Sequence, residues 1–232
     1  AGVYLTDRTT VEKAEKMKVG TCLNPLHTAL AVYGCLLGYT SIAAEMGDAD
    51  LKALVEHIAA ESLPVVEDPG ILSPRAFIDE VLHERFPNLA IPDTPQRIAA
   101  DTSQKLPVRY GGTLRRYARQ SEQALAGLEF APLVFAGWCR YLLGVDDRGN
   151  AMPVSPDPML PQLQAHLKGI EVGRPDSLAG HLRPILSNAA LFGVDLYAAG
   201  LGERTEEMFR DMLAGPGAVR ATLHRNCVCK QP

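Results

Sequence analysis

No glycine-rich loop follows a strand anywhere in this chain, and strand signals are weak throughout. Gly111-Gly112 sits between polar and helical segments, and Gly215-Pro216-Gly217 reads as a turn into the last helix. The sequence therefore contains no nicotinamide-binding domain of its own. It also lacks an apolar run long enough for a membrane span and any signal peptide, which sets membrane classes aside and points to the cytoplasm. A formal net charge of −4 leaves no general basic surface for nucleic acid. The five cysteines are an odd set; Cys22, Cys35 and Cys139 lie in apolar stretches, where free cysteine behaves as a small hydrophobe in a reducing compartment. Cys227 and Cys229 with His224 nearby have poor spacing for zinc, so no metal is expected. His57, His83, His166 and His181 stand at no metal-ligand spacing and suit surface or interface roles.

What is present is helical periodicity. At 232 residues and 47% hydrophobic composition the chain has ample material for a core, in one large domain or two closely packed subdomains. From Thr28 to Leu37 there is almost no polar interruption, the mark of a helix buried on all sides. Asp48 to Ser62 carries Leu51, Leu54, Val55, Ile58 and Ala59 on one face. Ser73 caps a helix with Pro74 at its first position. Thr113–Leu128, Pro132–Leu143, Pro158–Leu167, Ser177–Leu186 and Glu206–Leu213 also read as helices. Leu63–Leu72 and Gly144–Pro158 read as loops, the second with room for a short hairpin around Arg148-Gly149-Asn150. The expected fold is mainly α.

Two constellations carry chemistry. In the first, Asn24 followed by Pro25 reads as an N-cap and first helical residue, with His27 in the first turn. A buried helix start offers free N–H groups, a partial positive charge, the Asn24 amide and the His27 imidazole to an oxygen gaining negative charge. Lys18, one extended loop upstream, can reach the same spot, where partial burial disfavours its ammonium form and suits it to proton transfer. The plainer alternatives are a simple cap, a satisfied histidine and a solvated lysine; convergence of the three favours a site.

In the second, Arg97, Asp101 and Lys105 stand at i, i+4 and i+8. On one continuous helix they would form a surface ladder of ion pairs worth tenths of a kcal/mol each. Against that, Thr94-Pro95 repeats the cap-then-proline opening, and Asp101, Thr102 and Ser103 are typical of a break between helices. The other use is substrate binding, with Arg97 as a planar fork for a carboxylate or paired hydroxyls and Lys105 as a second positive charge.

The stretch MKVGTCLNPLHTALAVYGCLLGY (17–39), RIAADTSQKLPVR (97–109), and the late segments RPILSNAALFGVDL and MLAGPGAVRATL resemble the C-terminal domain of the long-chain mannitol dehydrogenases. That family includes mannitol 2-dehydrogenase, fructuronate reductase (D-mannonate oxidoreductase) and tagaturonate reductase. The resemblance spans essentially the whole chain, 1–232, and implies a helical catalytic and substrate-binding domain preceded, in the same polypeptide, by a Rossmann domain holding NAD or NADP. It implies Lys18 as general acid/base, Asn24 and His27 as binders of the reacting oxygen, and Arg97 and Lys105 at the distal substrate. One departure stands out: the family lysine is five residues before the asparagine, where this chain has Val19. Lys18 is six before; a bulge would absorb the extra residue, and Lys16 is a rival. The family's commoner Asn-Gly is also Asn-Pro here.

Members differ at the far end of the substrate. Arg97, Lys105 and Arg109 favour a sugar acid, hence fructuronate reduced to mannonate; mannitol and other polyols are the alternative, since the mannitol branch keeps matching cations. A non-catalytic helical binding module also stands, on the missing cofactor loop.

Overall fold

The computed structural model describes residues 4–229. Its first long feature is a nearly unbroken rod. Helix α1 (Arg8–Met17), capped by the Asp7 carboxylate on the Thr10 amide, runs into a π-helical turn (Lys18–Cys22) and then into α2 (Asn24–Leu37). The all-apolar stretch explains where α2 goes: Pro25 through Leu36 are buried. A helix with no polar face can only be central. It ends at Gly38, whose φ of 82° is the left-handed conformation glycine adopts without a Cβ penalty.

The chain continues through α3 (Ile42–Glu45), α4 (Ala49–Ser62) and α5 (Pro74–Glu80) with a second π turn (Val81–Arg85), then the short α6 (Pro95–Ile98). It goes on through α7 (Thr102–Arg109), α8 (Gly111–Gln120), α9 (Glu122–Ala126), α10 (Phe130–Tyr141) and α11 (Leu160–His166). The last elements are α12 (Arg183–Leu186), α13 (Ala189–Phe192), α14 (Gly202–Met212) and α15 (Ala218–Cys227). No strand occurs among the described residues; Val145 and Ala151 form an isolated antiparallel bridge. That bridge closes the turn expected around Arg148-Gly149-Asn150, with the Asp146 carboxylate accepting from the Arg148 and Asn150 amides.

Two buried helices, α2 and α10, form the centre, with α4, α14 and α15 packed around them. They approach closely because Gly137 has no side chain where the Tyr33 ring lies, and the Tyr33 hydroxyl donates to the Leu133 carbonyl at 2.7 Å. The starts of α10 and α15 are tied by carboxylates distant in sequence. Glu61 accepts from the amides of Glu129, Phe130 and Ala131 at the start of α10, and Asp147 from Val219 and Arg220 at the start of α15. Both meet the free N–H groups that a helix start exposes.

Several expected elements hold: α4 follows the 48–62 stretch with Asp48 as its cap, Ser73 caps α5, and α10 and α14 overlap the stretches where the periodicity places helices. Four expectations are corrected. The helix read over 113–128 is two helices, because Ser121 is extended and its hydroxyl caps α9. The one read over 177–186 is a 3-10 turn (Pro175–Leu178) and α12, separated by Ala179 and Gly180 at φ 31° and 80°. Asn24 is not an N-cap but the first residue of α2, with no side-chain cap there. Nor is there an extended loop before it: the Leu23 amide donates to the Lys18 carbonyl and the His27 amide to the Leu23 carbonyl, each at 3.0 Å. The first bond belongs to the π turn, and the second is the opening bond of α2 itself.

Candidate active site

A π turn spans Lys18–Cys22, in the interval between Lys18 and Asn24. One extra residue in a helix forces a wider i→i+5 turn, and the 3.0 Å bond from Leu23 to Lys18 is that bond. Lys18 is half-buried, with Nζ 5.3 Å from the centroid of the Phe77 ring on α5, a cation–π contact. No hydrogen bond joins it to Asn24 or His27 in this conformation, and it has no carboxylate partner among the described residues. Lys16 is exposed and points elsewhere: it lines a cleft of about 850 Å³ between α1, α7 and α8, together with Val19, Val108 and Arg119. Neither Lys18, Asn24 nor His27 lines that cleft.

His27 is buried at 7% exposure. Its ring tilts against Phe86 at 5.3 Å, and its Nε2 lies 3.4 Å from the Asp93 carboxylate, an ion-pair distance without hydrogen-bond geometry. Burial pushes the imidazole down to about 4; Asp93 pulls the other way, and the charges of Arg109, Arg85 and Arg97 add to the depression. The ring is thus neutral at pH 7, able to donate or accept according to tautomer.

The start of α2 is clamped from α7. Arg109 donates to the Thr28 hydroxyl at 2.6 Å, Thr28 donates to the Asn24 carbonyl at 2.9 Å, and the Tyr110 hydroxyl donates to the Pro25 carbonyl at 2.7 Å. Asn24 is half-buried, its backbone held by this chain of donors. Arg109 itself is inside the fold, where burial lowers its pKa.

The i, i+4, i+8 ladder does not form. Asp101 has a φ of 52°, so α6 and α7 are separate short helices, as the Asp-Thr-Ser break implies. Arg97, exposed on α6, pairs instead with Asp93, four residues back. Lys105 turns to the end of α6, donating to the carbonyls of Ile98 and Ala100 at 3.0 and 2.5 Å, where a cation complements the helix dipole. Its pKa is lowered by burial. The turn is secured by Asp157, which accepts from the Ser103 amide and hydroxyl. The fold thus gathers His27, Arg97 and Arg109 around Asp93 and Thr28, with Lys105 beside them and Lys18 at the other end of the α5 segment. Sequence reasoning missed Asp93, Thr28, Phe77 and Phe86. For Asp93 a signal existed, the i, i+4 spacing to Arg97; for the others there was none.

The residues weighed as a metal set are otherwise engaged. His224 pairs with Asp50 at 2.8 Å, Cys227 is buried with its carbonyl on His57, and Cys229 is exposed. Among the described residues no cluster of His, Cys, Asp or Glu has the geometry to hold a metal ion. No helix of the described residues is long and apolar enough to cross a membrane.

An all-α fold of this kind has known relatives. A profile of the mannitol dehydrogenase C-terminal domain matches residues 10–205, and the chain belongs to that family. Among its relatives, a D-mannonate oxidoreductase of Thermotoga maritima is 57% identical over 221 residues, covering 95% of this chain and 41% of the relative. A mannitol 2-dehydrogenase of Emericella nidulans is 36% identical over 199 residues, 82% of this chain and 35% of the relative. Among solved structures, the ternary complex of Pseudomonas fluorescens mannitol 2-dehydrogenase with NAD and D-mannitol has a TM-score of 0.80 at 26% identity, covering all of this chain and 43% of that one. The chain spans about two fifths of the length of these relatives.

Proposed function

We propose that this chain is the helical substrate-binding part, 1–232, of an NAD- or NADP-dependent secondary-alcohol dehydrogenase that interconverts a keto-sugar acid and its alcohol, fructuronate and mannonate. The observation that carries this reading is the 57% identity to a D-mannonate oxidoreductase over 95% of the chain. In it, Lys18 passes the proton to or from the reacting oxygen, while Asn24 and His27 hold that oxygen as charge builds on it. Arg97, Lys105 and Arg109 supply positive charge at the carboxylate end. The described residues contain no strand, so they do not themselves form a dinucleotide fold. In this reading a Rossmann domain elsewhere in the same polypeptide binds the cofactor, which supplies or accepts the hydride. The working compartment is the cytoplasm.

Polyol oxidation is the second reading, favoured by the mannitol 2-dehydrogenase relative. The two separate at Arg97. In the complete natural polypeptide, assayed with fructuronate and fructose and with both nicotinamide cofactors, Arg97→Ala is expected to weaken fructuronate far more than fructose. The lost contact is a charge-assisted hydrogen bond of roughly 1.5–3 kcal/mol. Lys18→Ala should lower turnover by about a hundredfold to ten-thousandfold with substrate still binding. Efficient fructose reduction without fructuronate reduction by the wild type moves the assignment to the polyol. Near-normal turnover of Lys18→Ala, with a large loss on Lys16→Ala, moves the proton transfer to Lys16.

A further inference from the structure

Asp93 stands between the two halves of the site. One carboxylate oxygen pairs with Arg97, and the other lies 3.4 Å from His27 Nε2. Its backbone is fixed, the carbonyl accepting from the Ile42 amide at 3.0 Å and the amide donating to Ile91 at 2.8 Å. Only the side chain is free to redistribute. The exposures are unequal, with the Arg97 side chain 62% accessible and that of Asp93 16%. An anion arriving from solvent therefore meets Arg97 first.

We propose that Asp93 sorts substrates by charge: a substrate carboxylate takes over Arg97, Asp93 closes onto His27, and sugar acids but not neutral polyols thereby charge the imidazole. This rests on the reading of Arg97 and His27 as substrate-facing groups. The physical steps are few. Two carboxylates on one guanidinium repel each other and share its charge, which weakens the hold on Asp93. The other oxygen of Asp93 lies 3.4 Å from His27 Nε2, a few tenths of an ångström beyond the usual hydrogen-bond length, so the released carboxylate has a ring nitrogen within reach. The charged groups facing His27 are Asp93, Arg109, Arg85 and Arg97. Occupying Arg97 cancels one repulsion while Asp93 strengthens the one attraction, and both changes favour imidazolium.

The proton comes from solvent, one per site, and ends on His27. Imidazolium is a stronger donor than neutral imidazole to a ketone oxygen that is gaining negative charge. A neutral ketose or hexitol leaves Asp93 on Arg97 and the ring uncharged. Asp93 acts through His27 and is a positioning residue.

The test uses the complete natural polypeptide with cofactor, and D-mannonate and D-mannitol as probes. Titration calorimetry in buffers of different ionisation enthalpy gives the protons taken up per ligand bound. Near pH 6 the wild type should take up a large fraction of one proton with mannonate and close to none with mannitol. Asp93→Asn, which keeps shape and loses charge, should abolish the mannonate-linked uptake. It should leave KM for mannonate equal or lower, because Arg97 no longer has an internal competitor, while kcat falls by about tenfold, the scale of one lost charge-assisted contact. Arg97→Ala should abolish the uptake by the other route. If Asp93 is merely structural, Asp93→Asn lowers the melting temperature, keeps the mannonate-linked proton uptake of the wild type and does not move KM and kcat in opposite directions, and that result overturns the proposal. So does equal uptake with the two probes. If the wild type turns over mannitol and does not bind mannonate, the sugar-acid reading itself fails and takes this inference with it. If mannonate is turned over but Asp93→Asn behaves as wild type, only the inference fails.

Discussion

His27 gives the most direct check on the electrostatics of the site. It is 7% exposed, and burial pushes its imidazole from 6.5 down to about 4. The folded state thus refuses a proton that the unfolded chain accepts, so this group costs stability as pH falls through the unfolded value and continues to do so until the folded one is reached. Integrated between about pH 7 and about pH 5, the loss is roughly 2 kcal/mol. His27→Gln removes the titration while keeping a polar side chain of similar size. Urea unfolding of both proteins at both pH values gives the measurement. The wild-type stability relative to the variant should decline by about 2 kcal/mol on acidification. The raised carboxyls of Glu45 and Glu61 titrate in both proteins and cancel in the difference. A difference independent of pH would refute the reasoning, because it would mean that the attraction of Asp93 balances desolvation; a relative gain in stability on acidification would mean that Asp93 holds the imidazole in charged form.

Glu45 tests the opposite sign. It is fully buried with neither carboxyl oxygen hydrogen-bonded, and burial raises its pKa to about 9, so its contribution is present at acid pH and lost as pH rises above 4.5. Glu45→Gln is expected to stabilise the fold at neutral pH by about 1–3 kcal/mol, with the gain gone in acid, read by urea unfolding at the two pH values. Gly137→Ala should destabilise by about 1–3 kcal/mol, because the new methyl would lie 2.6 Å from Tyr33 Cζ; an unchanged melting temperature would show that α2 and α10 can part freely. Glu61→Ala, which strands three amides at the start of α10, should cost about 2–4 kcal/mol, with Glu61→Gln recovering part of it in thermal melts.

Much of this protein is legible in the linear sequence because the signals are local. An unbroken apolar stretch after His27 can only be a central helix. Asp48, Ser73 and Thr94 cap helices because a short polar side chain followed by a helix former reports its own backbone conformation, and Asp101 marks the break between α6 and α7. The family resemblance named Lys18, Asn24, His27, Arg97 and Lys105 as residues to watch, and the cation count added Arg109. The rest depended on tertiary structure. Whether the interval between Lys18 and Asn24 becomes a loop or a π turn is decided by how α1 leads into α2. Arg109 reaches Thr28 across 81 residues of sequence, and Glu61 reaches α10 across 68, because helices that bury their apolar faces together bring such groups within range. Periodicity records which face is buried, not what it is buried against, so the meeting of His27, Asp93 and Arg97 had no local signature beyond one i, i+4 spacing. Chain order fixes the helices and their caps; the packing of α2 against α6 and α7 decides which charges share a site.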